Sequence, residues 1–97
     1  MSTAPDNVHL SSNHRDTLGK LFEHPVSHNI EWHEVLSLLE AVGNVERHHD
    51  GAYVVTVGDE TETFRRPRSK DIDAQEVVDV RRMLSNAGFR PEPNKEI

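Results

Sequence analysis

Seven histidines are the first residues in this chain that invite a chemical role: His9, His14, His24, His28, His33, His48 and His49. An imidazole titrates near pH ~6.5, so it can act as a general base or a metal ligand. None of the spacings matches a zinc-protease or zinc-finger pattern. His24 and His28 are four apart, but Pro25 between them keeps them off a shared helix face. With no cysteine in the chain, thiolate zinc sites and disulfide frameworks are excluded as well. The reading is no metal and no cofactor. His48 and His49 stand apart, because they precede an Asp50-Gly51 turn beside the best strand. A general base must reach the proton it takes in a definite geometry, which a turn beside a strand can provide. The competing reading is an exposed hairpin end.

A second group is basic. Arg65, Arg66, Arg68 and Lys70 fall within six residues that contain no acid, whereas residues 29–64 carry eight acids against the single base Arg47. The net charge of -6 argues against a general nucleic-acid coat. A local basic patch can still sit on an acidic body. Guanidinium forks match phosphate oxygens bidentately, and a loop lets several converge. The alternatives are an acidic protein surface, or ion pairs with Asp59, Glu60 and Glu62 of the neighbouring strand. Asp71 and Asp73 oppose an anion at the start of the following helix.

These groups need elements to position them. Residues 1–11 read as a disordered tail and 12–28 as a short helical extension. In that extension Ser12 or Asn13 caps, and Leu18, Leu21 and Phe22 share one side. Trp32, Val35, Leu36 and Leu39 follow the i, i+3, i+4, i+7 spacing of a buried stripe, which predicts a helix over about 30–42. Gly43 then suits a left-handed position after the last turn. Asn44 to His48, Ala52 to Val57 and Thr61 to Arg65 read as three strands of an antiparallel meander, joined at Asp50-Gly51 and Gly58-Asp59. The middle run is apolar on both faces, as a central strand should be. Asp73 caps a last helix, with Glu76 three residues on and Ile72 stapled to Val77. Its stripe is Val77, Val80, Leu84 and Ala87. Gly88 and Phe89 close it, Arg81 and Arg82 fall beside the stripe, and 90–97 is a flexible tail. Two helices on one face of a three-stranded sheet make an α+β domain over 29–89, with the other face open.

Four stretches in order carry a family likeness. Trp32-His33-Glu34-Val35-Leu36-Ser37-Leu38-Leu39-Glu40-Ala41-Val42-Gly43 resembles the first helix of HicA-type toxins. His49-Asp50-Gly51-Ala52-Tyr53-Val54 lies where that family carries its Gly-Ser-His strand. Phe64-Arg65-Arg66-Pro67 resembles the family's apolar residue before a proline and a polar loop. Val77 to Phe89 resembles its closing helix, which ends in a small residue, glycine and a bulky apolar residue. The resemblance covers about 60 residues, 30–89. It implies a fold like that of double-stranded-RNA-binding domains, metal-independent cleavage of mRNA, and a HicB-type antitoxin as partner.

The chain departs from the family at its catalytic position. Tyr53 stands where the histidine is expected, and Ala52 replaces the preceding serine. A phenol near pKa ~10 is a poor base at neutral pH. The expectation is therefore an RNA-binding HicA-like domain with weak or no ribonuclease activity, in which His48 or His49 supplies the base if RNA is cut. Tyr53 can stack on a base, or pack its ring and wet its hydroxyl. The alternative is a catalytically silent protein-interaction module. Met1 to Leu10 lacks the features of a signal peptide, and no run approaches a membrane span, so a cytoplasmic protein is expected.

Overall fold

The computed structural model describes residues 10–23 and 30–90. The expectations for most of both tails, and for His9, His24, Pro25, His28, Pro91 and Pro93, lie outside those residues. The described elements are α1 (Ser12–Leu21), α2 (Trp32–Val42), β1 (Asn44–Arg47), β2 (Ala52–Val57), β3 (Glu60–Arg65) and α3 (Ala74–Asn86). The sheet is antiparallel with order β1-β2-β3, so the run that is apolar on both faces is the central strand. This is the α+β architecture expected of the sequence.

Register assigns the two faces. Val45 opposes Val55, Arg47 opposes Tyr53, Tyr53 opposes Phe64, and Val55 opposes Glu62. Those residues face the helices. Val55, Val57 and Phe64 join Trp32, Val35, Leu36, Leu38 and Leu39 of α2 and Val77, Val80, Met83 and Leu84 of α3 in one core. Asn44, Glu46, Val54, Thr56, Thr61 and Thr63 lie on the other, open face, where the hydroxyls of Thr56 and Thr61 meet at 3.1 Å.

The turns follow their residues. Between β1 and β2, the Gly51 N–H donates to the His48 carbonyl and the His48 N–H donates to the Ala52 carbonyl, with Gly51 at φ +91°. This is the three-residue hairpin loop that needs a left-handed third residue. Gly58 (φ +60°) leads the two-residue loop between β2 and β3. Asp73 caps α3 by accepting from the Glu76 N–H at 2.8 Å, and Gly88 (φ +93°) ends it with the Phe89 N–H returning to the Leu84 carbonyl.

Three details differ from the sequence reading. The cap of α1 is Ser11, whose Oγ accepts from the His14 N–H, and not Ser12 or Asn13. Gly43 has φ -157° and is therefore extended, not left-handed. Glycine is required there for space, since a Cβ would lie 2.1 Å from the Thr56 carbonyl oxygen. Finally, α1 is no appendage to the packing. Leu18 and Leu21 are buried in the same core as the sheet, and Arg81 Nε of α3 donates to the Leu21 carbonyl at 2.8 Å.

Candidate nucleic-acid interface

The hairpin between β1 and β2 and the end of β3 lie at one end of the sheet, which brings His48, His49, Arg65 and Arg66 into one neighbourhood. Across that end the open face runs His48, Ala52, Arg65, through the His48 to Ala52 hydrogen bond and the Ala52–Arg65 register pair. The Arg65 guanidinium reaches over β2 to the hairpin turn. Its Nη1 donates to the Asp50 carbonyl at 3.3 Å, and its Nη2 lies 3.9 Å from Asp50 Oδ2. Asp50 Oδ1 in turn accepts from the Ala52 N–H. This explains why Ala52 is only 7% exposed while lying outside the helix-side core. A small residue at 52 leaves room for the arginine to cross. His48 stays exposed on the same face, with Nε2 3.6 Å from Glu46 Oε1. His49 is exposed at the turn.

Tyr53 points the other way. It is half-buried on the helix side, where its ring meets Trp32 edge to face at 5.4 Å between centroids, and Arg47 lies over it at 5.8 Å. Arg47 is also held by Glu40 of α2 at 3.2 Å. The position that the family resemblance marks for chemistry thus belongs to the packing between α2 and the sheet.

The loop after β3 is pinned to the start of α2. The Trp32 N–H donates to the Lys70 carbonyl at 2.7 Å, and the Ile72 N–H donates to the Ile30 carbonyl at 2.9 Å. A helix start leaves N–H groups without intrahelical partners, and Glu31 provides no side-chain cap here, so the loop carbonyl takes that place. Lys70 Nζ reaches Glu31 Oε2 at 3.6 Å, and His33 donates to Glu31 Oε1 at 2.6 Å. The hydrogen bond from His33 chiefly, then Lys70, holds the Glu31 carboxyl below the usual carboxylate range against the opposing effect of desolvation.

The four bases that cluster within residues 65–70 therefore divide in space. Arg65 belongs to the open face, Lys70 to the start of α2, and Arg66 and Arg68 to a cleft with Ser69, Asp71 and the first turn of α3. Among the described residues, Arg66 and Arg68 make no ion pair, and both are exposed. None of the four meets Asp59, Glu60 or Glu62 as the sequence suggested. Glu62 pairs instead with Arg82 of α3 at 3.1 Å, and Glu60 accepts from Asn86 at 3.3 Å. Arg81 and Arg82 are thereby committed to holding α3 against α1 and β3.

A polar cleft of about 300 Å³ between α1 and α2 was not anticipated. There His14 Nε2 and Ser37 Oγ are joined at 2.9 Å, and Lys20 lies 3.8 Å from Glu34. Its residues come from α1 and the first half of α2, and only the packing of the two helices brings them together. No group of three or more metal-ligating side chains is assembled among the described residues, and no helix among them is long and apolar enough to cross a membrane. Comparison with family models, curated proteins and solved structures finds no match to this chain.

Proposed function

We propose that this chain is an RNA-binding domain of the HicA-like class, related to mRNA interferase toxins and with weak or no ribonuclease activity. The observation that carries the reading is the row His48, Ala52, Arg65 at the end of a sheet face that no described element covers. An arginine is fixed there by the hairpin turn, and an exposed imidazole lies on the same face with Nε2 3.6 Å from Glu46 Oε1. Arg66 and Arg68, free of ion pairs among the described residues, extend the positive potential around the end of β3. The α2-β1-β2-β3-α3 order, with both helices on one face, supports the same class, although fold likeness alone never assigns function.

If RNA is cut, His48 takes the proton of a 2′-hydroxyl and the resulting oxygen attacks the adjacent phosphorus. The bond to the 5′-oxygen breaks, and that oxygen leaves as a hydroxyl after gaining a proton. The products are a 2′,3′-cyclic phosphate and a free 5′ end, with no metal required. Tyr53 has no part in this, because it faces α2. A cytoplasmic location and a HicB-type antitoxin as partner belong to the same proposal.

A protein-interaction module is the second reading. It is favoured by the carboxylates already beside Arg65 and Lys70, which compete with phosphate for them. Fluorescence anisotropy with a labelled structured RNA, at low and moderate salt, separates the two. The RNA reading expects binding that falls steeply with salt, since phosphate contacts release counterions. It also expects binding to be lost on replacing Arg65, Arg66 and Arg68 with alanine. Absence of binding at low salt removes it. A denaturing gel of the same samples reports cleavage.

A further inference from the structure

We infer that the outer edge of β3 is a self-association surface, and that two copies join through it in one particular register to give a continuous six-stranded sheet. The inference stands apart from RNA binding and rests on the edge itself. The two edges of the sheet differ. β1 is four residues long, and a short edge strand is one of the ways proteins keep an edge from pairing. β3 is six residues long, pairs with β2 without a bulge from Glu60 to Arg65, and has no strand on its outer side among the described residues. It carries no proline or lysine. Its inward-facing acids, Glu60 and Glu62, which would otherwise guard it, are already engaged by Asn86 and Arg82 of α3.

Symmetry narrows the registers. Two antiparallel strands related by a two-fold axis must have that axis perpendicular to the sheet, because opposed residues share a face. One residue then meets its own copy at the axis. Centring on Glu62 opposes two like charges, which destabilises a strand pair. Centring on Phe64 places Pro67, which has no N–H to offer the ladder, opposite Thr61. Centring on Thr63 avoids both. It pairs Thr63 with Thr63 and Thr61 with Arg65 on the open face, and Glu62 with Phe64 and Glu60 with Arg66 on the helix face. The charge complementarity is thus made twice, once on each side of the axis. Arg66 has no ion partner within its own chain among the described residues, and this register supplies one. Both copies keep their helices on the same side, so the open faces merge into one surface.

The absence of native cysteine makes the test direct. Thr63 is exposed, and in this register its Cα lies about 4.5–5.5 Å from its own copy, within disulfide range. Under mild oxidation Thr63→Cys is expected to give a covalent species of twice the 11.0 kDa mass. Thr61→Cys, four positions along the ladder from its own copy, is expected to stay single. Failure of Thr63→Cys to cross-link, or equal cross-linking by both variants, overturns the register. Sedimentation of the unmodified chain from about 10 μM to about 1 mM should show a concentration-dependent rise toward the doubled mass, as suits a small interface. One unchanging monomer mass across that range overturns the association itself. Arg66→Glu is expected to weaken it about tenfold by placing like charges opposite each other twice, and Glu60→Arg in the same chain to restore it. A double variant as weak as the single one counts against the pairing of Glu60 with Arg66.

Discussion

The rings of Trp32 and Tyr53 meet edge to face, 5.4 Å apart between centroids and inclined at 71°. This contact joins the first residue of α2 to the central strand. Phe64 lies 6.5 Å from the same indole, so one residue from each of α2, β2 and β3 shares an aromatic cluster. Trp32 is 5% exposed, and among the described residues its Nε1 has no hydrogen-bond acceptor. An edge-to-face aromatic pair adds a modest favourable contact beyond the area it buries. Tyr53→Phe keeps that ring and should change stability by less than about 0.5 kcal/mol, whereas Tyr53→Ala removes it and should cost about 2–3 kcal/mol. Urea unfolding midpoints of the two variants check this. Equal losses would mean that the hydroxyl, not the ring, holds the site.

The division of the basic cluster ranks its members. If the chain binds RNA as proposed, removing one cation that touches phosphate should reduce the steepness of the salt dependence by about 0.7–0.9 in the log–log slope. Arg66→Ala and Arg68→Ala are each expected to show that reduction. Lys70→Ala is expected to show a smaller one, because Lys70 already lies 3.6 Å from Glu31. Anisotropy titrations at several salt concentrations give the slopes. An equal reduction for all three would mean that the loop leaves the start of α2 when RNA binds.

What the sequence revealed depended on whether the deciding interaction was local. The α2 stripe, the Asp73 cap, the Asp50-Gly51 turn and the Gly88-Phe89 ending are set by residues within a few positions of each other. Patterns of that reach are visible in one dimension. Leu38 and Met83, both fully buried, lie beside the stripes read from spacing, because a helix packed on two sides buries more than one seam. The place of α1 in the core depends on Arg81, sixty residues away, meeting Leu21. The orientation of Tyr53 depends on strand register, which a run apolar on both faces does not disclose. The four bases looked like one patch because adjacency in sequence is not adjacency in space once a loop turns between a strand and two helix starts.

Glu76 provides a test of pH dependence with a definite sign. Its carboxyl is pushed above the ordinary value of 4.5, first by partial burial and then by the Asp73 charge, while a hydrogen bond from the Asp73 backbone opposes the shift. A negative charge in the first turn of a helix is ordinarily favourable. Here the net direction is upward, so burial and Asp73 outweigh that benefit. The folded state holds this proton more tightly than the unfolded state. Stability therefore falls as pH rises from the ordinary value through the raised one. Glu76→Gln keeps an acceptor for the Asp73 N–H and removes the charge. It should raise the melting temperature slightly at pH 7 and leave it unchanged near pH 4. A lower melting temperature at pH 7 would show that the helix start needs the charge.

Leu21 tests whether α1 belongs to the folding unit. It is fully buried, and its carbonyl is held by Arg81. Truncating a buried leucine leaves a cavity and costs about 2–5 kcal/mol. Because a small domain has little stability in reserve, Leu21→Ala should shift one cooperative transition of the whole chain, not loosen α1 alone. Thermal unfolding followed by Trp32 fluorescence and by far-ultraviolet circular dichroism distinguishes these. Coincident shifted transitions support the single unit, and an unshifted Trp32 transition refutes it.

Gly43 makes the sharpest prediction about the fold, because two explanations of the same glycine lead to opposite results. A glycine kept for a left-handed turn tolerates asparagine or aspartate, which enter that region more readily than other side chains. Gly43 has φ -157°, where any residue fits by its backbone, so that rescue has nothing to act on. The constraint is the neighbouring strand. A Cβ at 43 would lie 2.1 Å from the Thr56 carbonyl oxygen and 2.9 Å from Val57 Cγ2. The nearer atom is backbone of the central strand, opposed to Asn44 in the register, and it cannot yield without opening the β1–β2 pairing. Overpacking against flexible side chains costs about 1–3 kcal/mol, and a clash with fixed backbone belongs at or above the top of that range. Gly43→Ala and Gly43→Asn should therefore be equally destabilised, each by about 3 kcal/mol or more. Chemical denaturation of the pair decides the matter. A nearly native Gly43→Asn beside an unstable Gly43→Ala would restore the turn explanation. Two equally damaged variants place the requirement in the contact between the end of α2 and Thr56.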